Sequence, residues 1–516
     1  MYKHIQIIVD PDHIDDKNYI RNKISNEAGA PCFDYRIIRR SIDARKQHVK
    51  FILQVELLLD ETDSFHSGTK PEYKHVDHCS PVLIVGAGPA GYFAALELIE
   101  SGIKPVVLER GKDVHSRKST IQELFRNGAV SRNSNYCFGE GGAGTYSDGK
   151  LYTRSTGRAD VNKIFDILIS HGAPDDIKID SRPHIGSDKL PDIVQNIRTT
   201  ILSYGGEILF DSRVTDLILS KNRILGVHLE NGQEVSGEAV ILASGHSGRE
   251  IYELLHAKQI LVQPKPFAMG VRVEHPQVLI DSIQYHRAPR HEKLPPASYQ
   301  LVSQVDGRGV FSFCMCPGGF IVPTSTSPGE LVVNGMSLFD RSSPYANSGI
   351  VVSIGLEDIE KEYPDGALSL LSFQRAMEKK AFEFGGSRNL CAPAQRLTDF
   401  VSGKTSSTLP NTSYAPGVFA APIHNLFPLV IHDRLRKAFV EFDKKMKGYY
   451  TEEAIILAVE SRTSSPVRIP RDSATLMHPQ IQNLYPCGEG AGYAGGIVSS
   501  AMDGQRMAKK IASCLK

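Results

Sequence analysis

Hydrophobic and polar positions follow three textures along this chain. Near the N-terminus, the apolar run 5–9 predicts a strand, and residues 17–28 a short helix that stops near Gly29. Residues 49–59 (VKFILQVELLL) predict a strand of β-branched and aliphatic residues. Between them, residues 36–50 hold six Lys or Arg against one Asp. That stretch is either a solvated edge or a surface for an anion or a partner. The polar segment 61–80, with three histidines and Pro71, predicts a linker.

The texture changes at residue 81. The run PVLIV (81–85) predicts a buried strand, and it is followed at once by GAGPAG (86–91). Residues 92–101 are helical, with Ala94, Ala95 and Leu98 on one side, and stop at Gly102. A second strand at 105–108 ends in Glu109-Arg110-Gly111, which completes one β-turn-α-β unit of about 30 residues. Helices are predicted over 160–170 and 190–204. Strands follow at 207–219 (broken near 211–212), 225–229 and 234–243, with Lys221-Asn222 and Asn231-Gly232 as turns.

Residues 257–465 mix prolines and aromatics with strand-like runs at 309–313, 319–322 and 331–333, and with helical stretches at 367–384 and 432–447. The end of the chain returns to the second texture, with a strand at 484–487, a glycine-rich turn and a helix at 497–515. The expected fold is α/β. It combines a Rossmann-type dinucleotide-binding domain, with a parallel sheet and a β-meander, and a mixed α/β substrate domain with an antiparallel sheet. A small α+β domain precedes them. The expected divisions are 1–78 for that extension and linker, 79–256 with 466–516 for a discontinuous dinucleotide domain, and 257–465 for the substrate or cap domain.

Length and composition narrow this. A chain of 516 residues is too long for one core. The 59 basic and 58 acidic residues leave a net charge of +1, which excludes a general polyanion-binding surface, so nucleic acid is not an expected partner. No stretch reaches the roughly 18 apolar residues of a membrane helix, so no membrane partner is expected. Eight cysteines are too few for a disulfide scaffold, and the N-terminus meets Pro11 before any signal-like apolar run. A cytoplasmic protein is expected. The 44 glycines are an ordinary total, but thirteen fall in 86–91, 139–149 and 488–496, three segments that together could surround one ligand.

GAGPAG has the context that a dinucleotide fingerprint needs. Gly86 suits the tight strand-to-helix turn, Gly88 leaves room for a pyrophosphate, and Gly91 permits close helix–strand packing. The helix N-terminus offers free N–H groups and partial positive charge. Glu109, 18 residues past Gly91, is placed to accept from ribose hydroxyls, which favours FAD or NAD over NADP.

The run from Gly86 to Gly102, followed by VVLERG, resembles the FAD-binding domain of the glutathione-reductase-type flavoprotein superfamily. ASG at 243–245, after the meander, resembles that superfamily's second nucleotide-proximal motif. CGEGAGYAGGIVSSAMDG (487–504) resembles its third, in which an acid binds the ribityl chain; Glu489 stands where Asp is usual. More narrowly, NYCFGEGGAGTYSDGKL (135–151), FCMCPGGF (313–320), ESRTSSPVRIPRD (460–472) and RRSIDARK (39–46) resemble a family of bacterial FAD-dependent dehydrogenases of unassigned substrate. The resemblance implies FAD as cofactor. The residues expected to hold it are Gly86, Ala87, Gly88, Pro89, Ala90, Gly91, Glu109 and Arg110 in the first motif. Gly141, Gly142, Thr145, Ser147 and Asp148 are expected in the glycine-rich loop, and Val214, Ser244 and Gly245 around the second motif. Gly488, Glu489, Gly495, Gly496 and Ile497 are expected in the third.

Three further residues are candidates for chemistry. Cys314 and Cys316 share a face in an extended strand, so their sulfurs can approach as a dithiol relay or simply pack as small apolar groups. No second Cys or His pair accompanies them, so zinc is not expected and no metal is assigned. Arg462, with Arg468, offers a planar fork for a substrate carboxylate or a reduced flavin, or else a structural role. His286 and His424 are weaker acid/base candidates. Cys137 reads as structural.

The expected function is an FAD-dependent oxidoreductase of dehydrogenase type, exchanging a hydride through flavin N5 with a small-molecule substrate. NAD(P)H is a candidate electron donor or acceptor, and a redox partner is a further candidate. Two alternatives stay open: a flavin-bound binding or regulatory module that engages RNA or protein through residues 36–50, and a flavin monooxygenase.

Overall fold

The computed structural model describes residues 2–30, 32, 34–59, 65, 71–153 and 158–515. The N-terminal unit runs β1 (Tyr2–Val9), α1 (Lys17–Ala28), β2 (Asp34–Asp43) and β3 (Lys50–Leu58), in an antiparallel sheet ordered β1-β3-β2. Asp16 caps α1 by accepting the Tyr19 N–H at 3.0 Å, and Gly29 ends it at φ 66°. β2 corrects the sequence reading, which saw only a basic stretch there. Arg36 pairs with Glu56 at 2.5 Å, and Arg40 reaches Asp180 at 2.7 Å and Asp176 at 2.8 Å on a distant loop. These charges hide an edge strand whose apolar alternation is interrupted by a bulge between Ile37 and Arg39. Residues 61–64 and 66–70 of the expected linker lie outside the described residues; 71–80 carry no helix or strand.

The dinucleotide domain runs β4 (Pro81–Val85), α2 (Pro89–Ser101), β5 (Lys104–Leu108), α3 (Val114–Asn127), α4 (Arg158–Ser170), α5 (Leu190–Ser203) and β6 (Glu207–Leu209). It continues through β7 (Val214–Ser220), β8 (Arg223–Leu229), β9 (Glu234–Ser236), β10 (Ala239–Leu242) and α6 (Arg249–Ala257). The following region holds β11 (Gln263–Pro264), β12 (Phe267–Pro276), α7 (Gln277–Tyr285), β13 (Val302–Val305), β14 (Arg308–Cys316), β15 (Phe320–Pro323), β16 (Val333–Met336) and β17 (Tyr345–Ile354). After these come α8 (Ser369–Phe384), β18 (Ala392–Arg396), α9 (Leu397–Ser402), β19 (Val418–Ala420), α10 (Leu429–Lys445) and β20 (Ile455–Glu460). The chain then returns through β21 (Val467–Arg468), β22 (Leu484–Pro486) and α11 (Ile497–Leu515).

The first domain is built on a parallel sheet ordered β22-β10-β4-β5-β6, with the meander β7-β8-β9 beside it. Val82 to Ile84 are fully buried, as a strand covered on both faces requires. The second sheet has seven strands, ordered β13-β14-β17-β12-β20-β18-β19 and antiparallel except for the β18–β19 pair. α10 packs on it through Ile431, Leu435, Ala438, Phe439 and Phe442, a helical stripe. The pair β11–β21 joins the two regions. The N-terminal unit does not form an isolated core: Ile7, Val9, Leu53 and Val55 belong to the same apolar cluster as β12, β17 and β20.

One buried polar group on β12 sets an acid limit. His275 faces the Tyr449 carbonyl through Nε2 at 2.8 Å, which fixes the proton there, while Nδ1 has no partner among the described residues. Burial drops its pKa to about 4 from 6.5. Between those values the unfolded chain binds more protons, so stability falls as pH falls from 6.5 to 4, by about 3 kcal/mol. Urea unfolding of His275→Gln across this window should show a shallower acid slope than the parent; equal slopes would refute the assignment.

Candidate functional site

A cleft of about 400 Å³ opens between the carboxyl ends of the parallel strands and the end of β14 in the antiparallel sheet. Its first wall is the turn after β4. Gly86, at φ 110°, has no room for a Cβ, which would collide with the Ala243 carbonyl. Gly88, Pro89 and Ala90 then present the N-terminus of α2 to the cleft. A Cβ on Gly88 would meet only open space, its nearest neighbour being the Gly142 Cα at 4.0 Å. The same space receives the N-terminus of α11 through Gly495, Gly496 and Ile497. Two helix N-termini therefore point into one space.

Glu109 ends β5 as a buried carboxylate beside the cleft. It accepts the N–H groups of Ala87 at 2.9 Å, Gly111 at 2.9 Å and Gly139 at 3.0 Å. A carboxylate has about four acceptor positions, so one stays open to a ligand hydroxyl. Ser244 and Arg110 line the cleft, and Ser244 Oγ and Arg110 Nε are buried with no hydrogen-bond partner among the described residues. Unpaired buried donors of this kind cost free energy unless a ligand meets them.

The glycine-rich loop reaches this space because of Arg117, which the sequence reading missed. Its buried guanidinium donates to four carbonyls of the loop, those of Asn135 (2.8 Å), Tyr136 (2.7 Å), Glu140 (2.7 Å) and Gly142 (3.0 Å). Gly141 N–H donates to the Ala87 carbonyl at 2.9 Å, which ties the loop to the first turn.

Most of the expected residues meet at this cleft. Gly86, Gly88, Pro89, Ala90, Glu109, Arg110, Gly142, Ser147, Asp148, Val214, Ser244, Gly245, Gly488, Glu489, Gly495, Gly496 and Ile497 line it, as do Cys314 and Arg462. Ala87, Gly91, Gly141, Thr145 and Cys316 do not line it, and each has a local reason. Ala87 lies under the turn. Gly91 sits on the Gly86 carbonyl. Gly141 is turned toward Thr145, whose hydroxyl folds back on the Glu140 carbonyl at 3.3 Å. Cys316 is buried behind Cys314. His286 is exposed near Ala44 and His424 pairs with Gln395, both away from the cleft. Cys137 lines the cleft with its thiol toward the Thr324 carbonyl at 3.7 Å.

The charged side chains are committed unevenly. Arg462 turns its fork to Glu378 (3.0 and 3.2 Å), Ser247 (3.1 Å) and Thr326 (2.8 Å), rather than to open space. With Arg249 and Glu330 these form a buried cluster between α6 and α8. Burial alone would raise Glu378, but Arg249 and Arg462 hold it down at about 2. Asp148 is similarly lowered: burial opposes its charge, and Lys150 and Arg341 outweigh it. Arg341 lies 3.0 Å and Lys150 3.4 Å from it. His246, also missed from sequence, lines the cleft with Nδ1 3.4 Å from Glu489 Oε2. Only the fold brings it there, because its partner is in the last glycine cluster.

The residues present fit FAD. Two helix N-termini suit the pyrophosphate, the open acceptor position of Glu109 suits a ribose hydroxyl, and the unpaired Ser244 and Arg110 donors suit further polar atoms. Two family models agree. Residues 80–256 match the family described as pyridine nucleotide-disulphide oxidoreductase, and 266–463 match "FAD-dependent protein, C-terminal domain-like". Residues 1–58 match a domain of unknown function. An uncharacterized protein of Clostridium beijerinckii is 41% identical over 96% of both chains. Among solved structures, glycine oxidase from Bacillus cereus aligns at 12% identity over 85% of this chain and 96% of its own, with a TM-score of 0.34. A flavin-dependent brominase aligns at 15% over 86% and 80%, with a TM-score of 0.35.

Gly88→Ala separates the cofactor from the fold. Its φ of −78° suits any residue and its Cβ space is open, so the variant should melt like the parent without flavin. Its flavin content after purification, read by visible absorbance, should drop at least several-fold. Full flavin content in the variant would refute the placement of the cofactor against Gly88.

Proposed function

The chain belongs to the FAD-dependent oxidoreductase family, and from that premise we propose that it acts as a dehydrogenase on a small-molecule substrate. The observation that carries this reading is the two-sided cleft. One side is made of glycine turns and helix N-termini, and the other of Phe313 and Cys314 on β14 and Asn334 on β16. A cofactor against the first side leaves the second for a substrate. FAD, when bound, supplies hydride transfer. The chain's own residues orient the substrate and handle the proton that accompanies the hydride. His246, backed by Glu489 at 3.4 Å, is the cleft-lining group suited to hold or release that proton. NADH or NADPH serves as electron donor or acceptor in this reading, with a small molecule on the other side of the exchange.

The monooxygenase alternative has no observation in its favour, and the binding-module alternative has one against it. Arg36, Arg40 and Arg45 of the basic segment are paired with Glu56, Asp176, Asp180 and Asp43 within the molecule.

Anaerobic stopped-flow mixing with NADH, NADPH and a metabolite panel tests the proposal. Rapid bleaching of the flavin by at least one of them is expected. His246→Ala should retain flavin and slow the steady-state rate by about 10²-fold, the usual scale for a lost general acid or base. Flavin that no member of the panel reduces would overturn the dehydrogenase reading.

A further inference from the structure

β14 carries a bulge on the wall of the cleft. Phe313 pairs with Gly349 and the next pairing is Cys316 with Asn347, so three steps on β14 oppose two on β17. Cys314 lies within the bulge at φ 45°, a strained setting for a residue other than glycine. Cys314 reaches the cleft wall, and Cys316 is completely buried. Both sulfurs converge on one ammonium: Lys150 Nζ lies 3.7 Å from Cys314 Sγ and 3.5 Å from Cys316 Sγ. Arg272, fully buried, donates Nη2 to the Cys314 carbonyl at 2.7 Å and to Cys316 Sγ at 3.5 Å.

A pair of thiols that served only to fill space would not be given two cations. Cations beside a sulfur favour the thiolate, which is the nucleophile in thiol chemistry. The carboxylates nearby are turned to the cations, Asp148 to Lys150 and Arg341, and Glu460 to Arg272 at 3.0 Å. A hydrogen bond from Cys316, with Lys150 and Arg272, draws the Cys314 thiol well below its ordinary range although burial opposes this. The hydrogen bond to Cys314 and burial push Cys316 well above it. One sulfur reaches the cleft beside two cations; the other is hidden behind it.

We propose that Cys314 and Cys316 form a redox-active dithiol that reduces a low-molecular-weight disulfide entering the cleft. The Cys314 thiolate attacks one sulfur of the disulfide, forming a mixed disulfide and expelling the first thiolate. The Cys316 sulfur then attacks Cys314, closing the 314–316 disulfide and expelling the second thiolate, which leaves with the Cys316 proton. The dithiol loses two electrons and the substrate gains them, and a dithiol reagent reverses the step. Lys150 is a positioning residue that holds the Cys314 thiolate. The inference needs no flavin step, so it stands or falls separately from the dehydrogenase reading.

Glutathione disulfide is the probe, applied to the purified full-length holoprotein with flavin content read by absorbance in each sample. Trypsin releases 309–341, a peptide whose only cysteines are Cys314 and Cys316. In the parent protein, mass spectrometry should find this peptide lighter by two hydrogens and free of glutathione, and dithiothreitol should restore it. Cys316→Ser should trap one glutathione on Cys314. Lys150→Met should slow iodoacetamide labelling of Cys314 at pH 7 at least tenfold and raise the pH midpoint of labelling, with Lys150→Arg restoring both. The parent measurement needs no variant to fold. An unmodified 309–341 peptide, while the exposed Cys79 and Cys514 take up glutathione, would overturn the proposal. So would a stable glutathione adduct in the parent.

Discussion

The cleft depends on backbone approaching backbone where no side chain fits. A Cβ on Gly86 would strike the Ala243 carbonyl, one on Gly91 would strike the Gly86 carbonyl, and one on Gly504 would strike the Ala90 carbonyl. The first contact sets β4 beside the end of β10. The second seats α2 on its own entry turn, and the third lets α11 cross α2 at close range. Together they bring the N-termini of α2 and α11 to one place. Each helix end carries unsatisfied N–H groups and about half a unit of positive charge, so the convergence creates an anion site before any side chain contributes. The ligand-facing chemistry is therefore largely main-chain chemistry, held in position by Gly86 on the cleft wall and by Gly91 and Gly504 buried behind it.

Side chains do the work that close packing cannot. The glycine-rich loop has little apolar surface with which to hold itself, and Arg117 substitutes by donating to four of its carbonyls. Glu109 does the same with three N–H groups. Each such bond contributes about 1 kcal/mol net, but losing the shared partner would strand several buried groups at once. Loop and turn are thus fixed through two residues, which explains how a segment with four glycines in six positions holds one shape.

Much of this was legible in the sequence, and the illegible part has a common cause. Helical and strand periodicities report on local burial, so the β-turn-α-β unit, the meander and α11 were readable. β2 was not, because its arginines, which bind Glu56 and the 176–180 loop, look like solvent-facing charge until their partners are known. Lys150 lies 164 residues from Cys314, and His246 meets Glu489 only when β10 and β22 pair. Glycine spacing carries its own meaning along the chain; a lone Arg, Lys or His does not. The Cys314–Cys316 pair shows a subtler gap. Regular strand geometry placed the two on one face, whereas the bulge sends Cys314 to the cleft wall and leaves Cys316 behind it. The sulfurs still meet, but on Lys150 rather than through strand alternation.

The buried charges between the two regions follow the same logic. Arg249 comes from α6, Glu378 from α8, Glu330 from the stretch before β16, and Arg462 from the segment after β20. Apolar residues of similar volume would serve stability as well or better, since desolvating four charges costs about as much as their attraction returns. What an apolar patch lacks is direction. Arg462 meets Glu378 in a two-pronged contact while one nitrogen holds Ser247 and Thr326. Ser247 lies three residues past Ser244, so a shift of α8 would be felt on the cleft wall beside the unpaired Ser244 hydroxyl. The cluster is therefore best understood as the part that fixes the distance between the two sides of the cleft, which slippery apolar packing would leave free to slide.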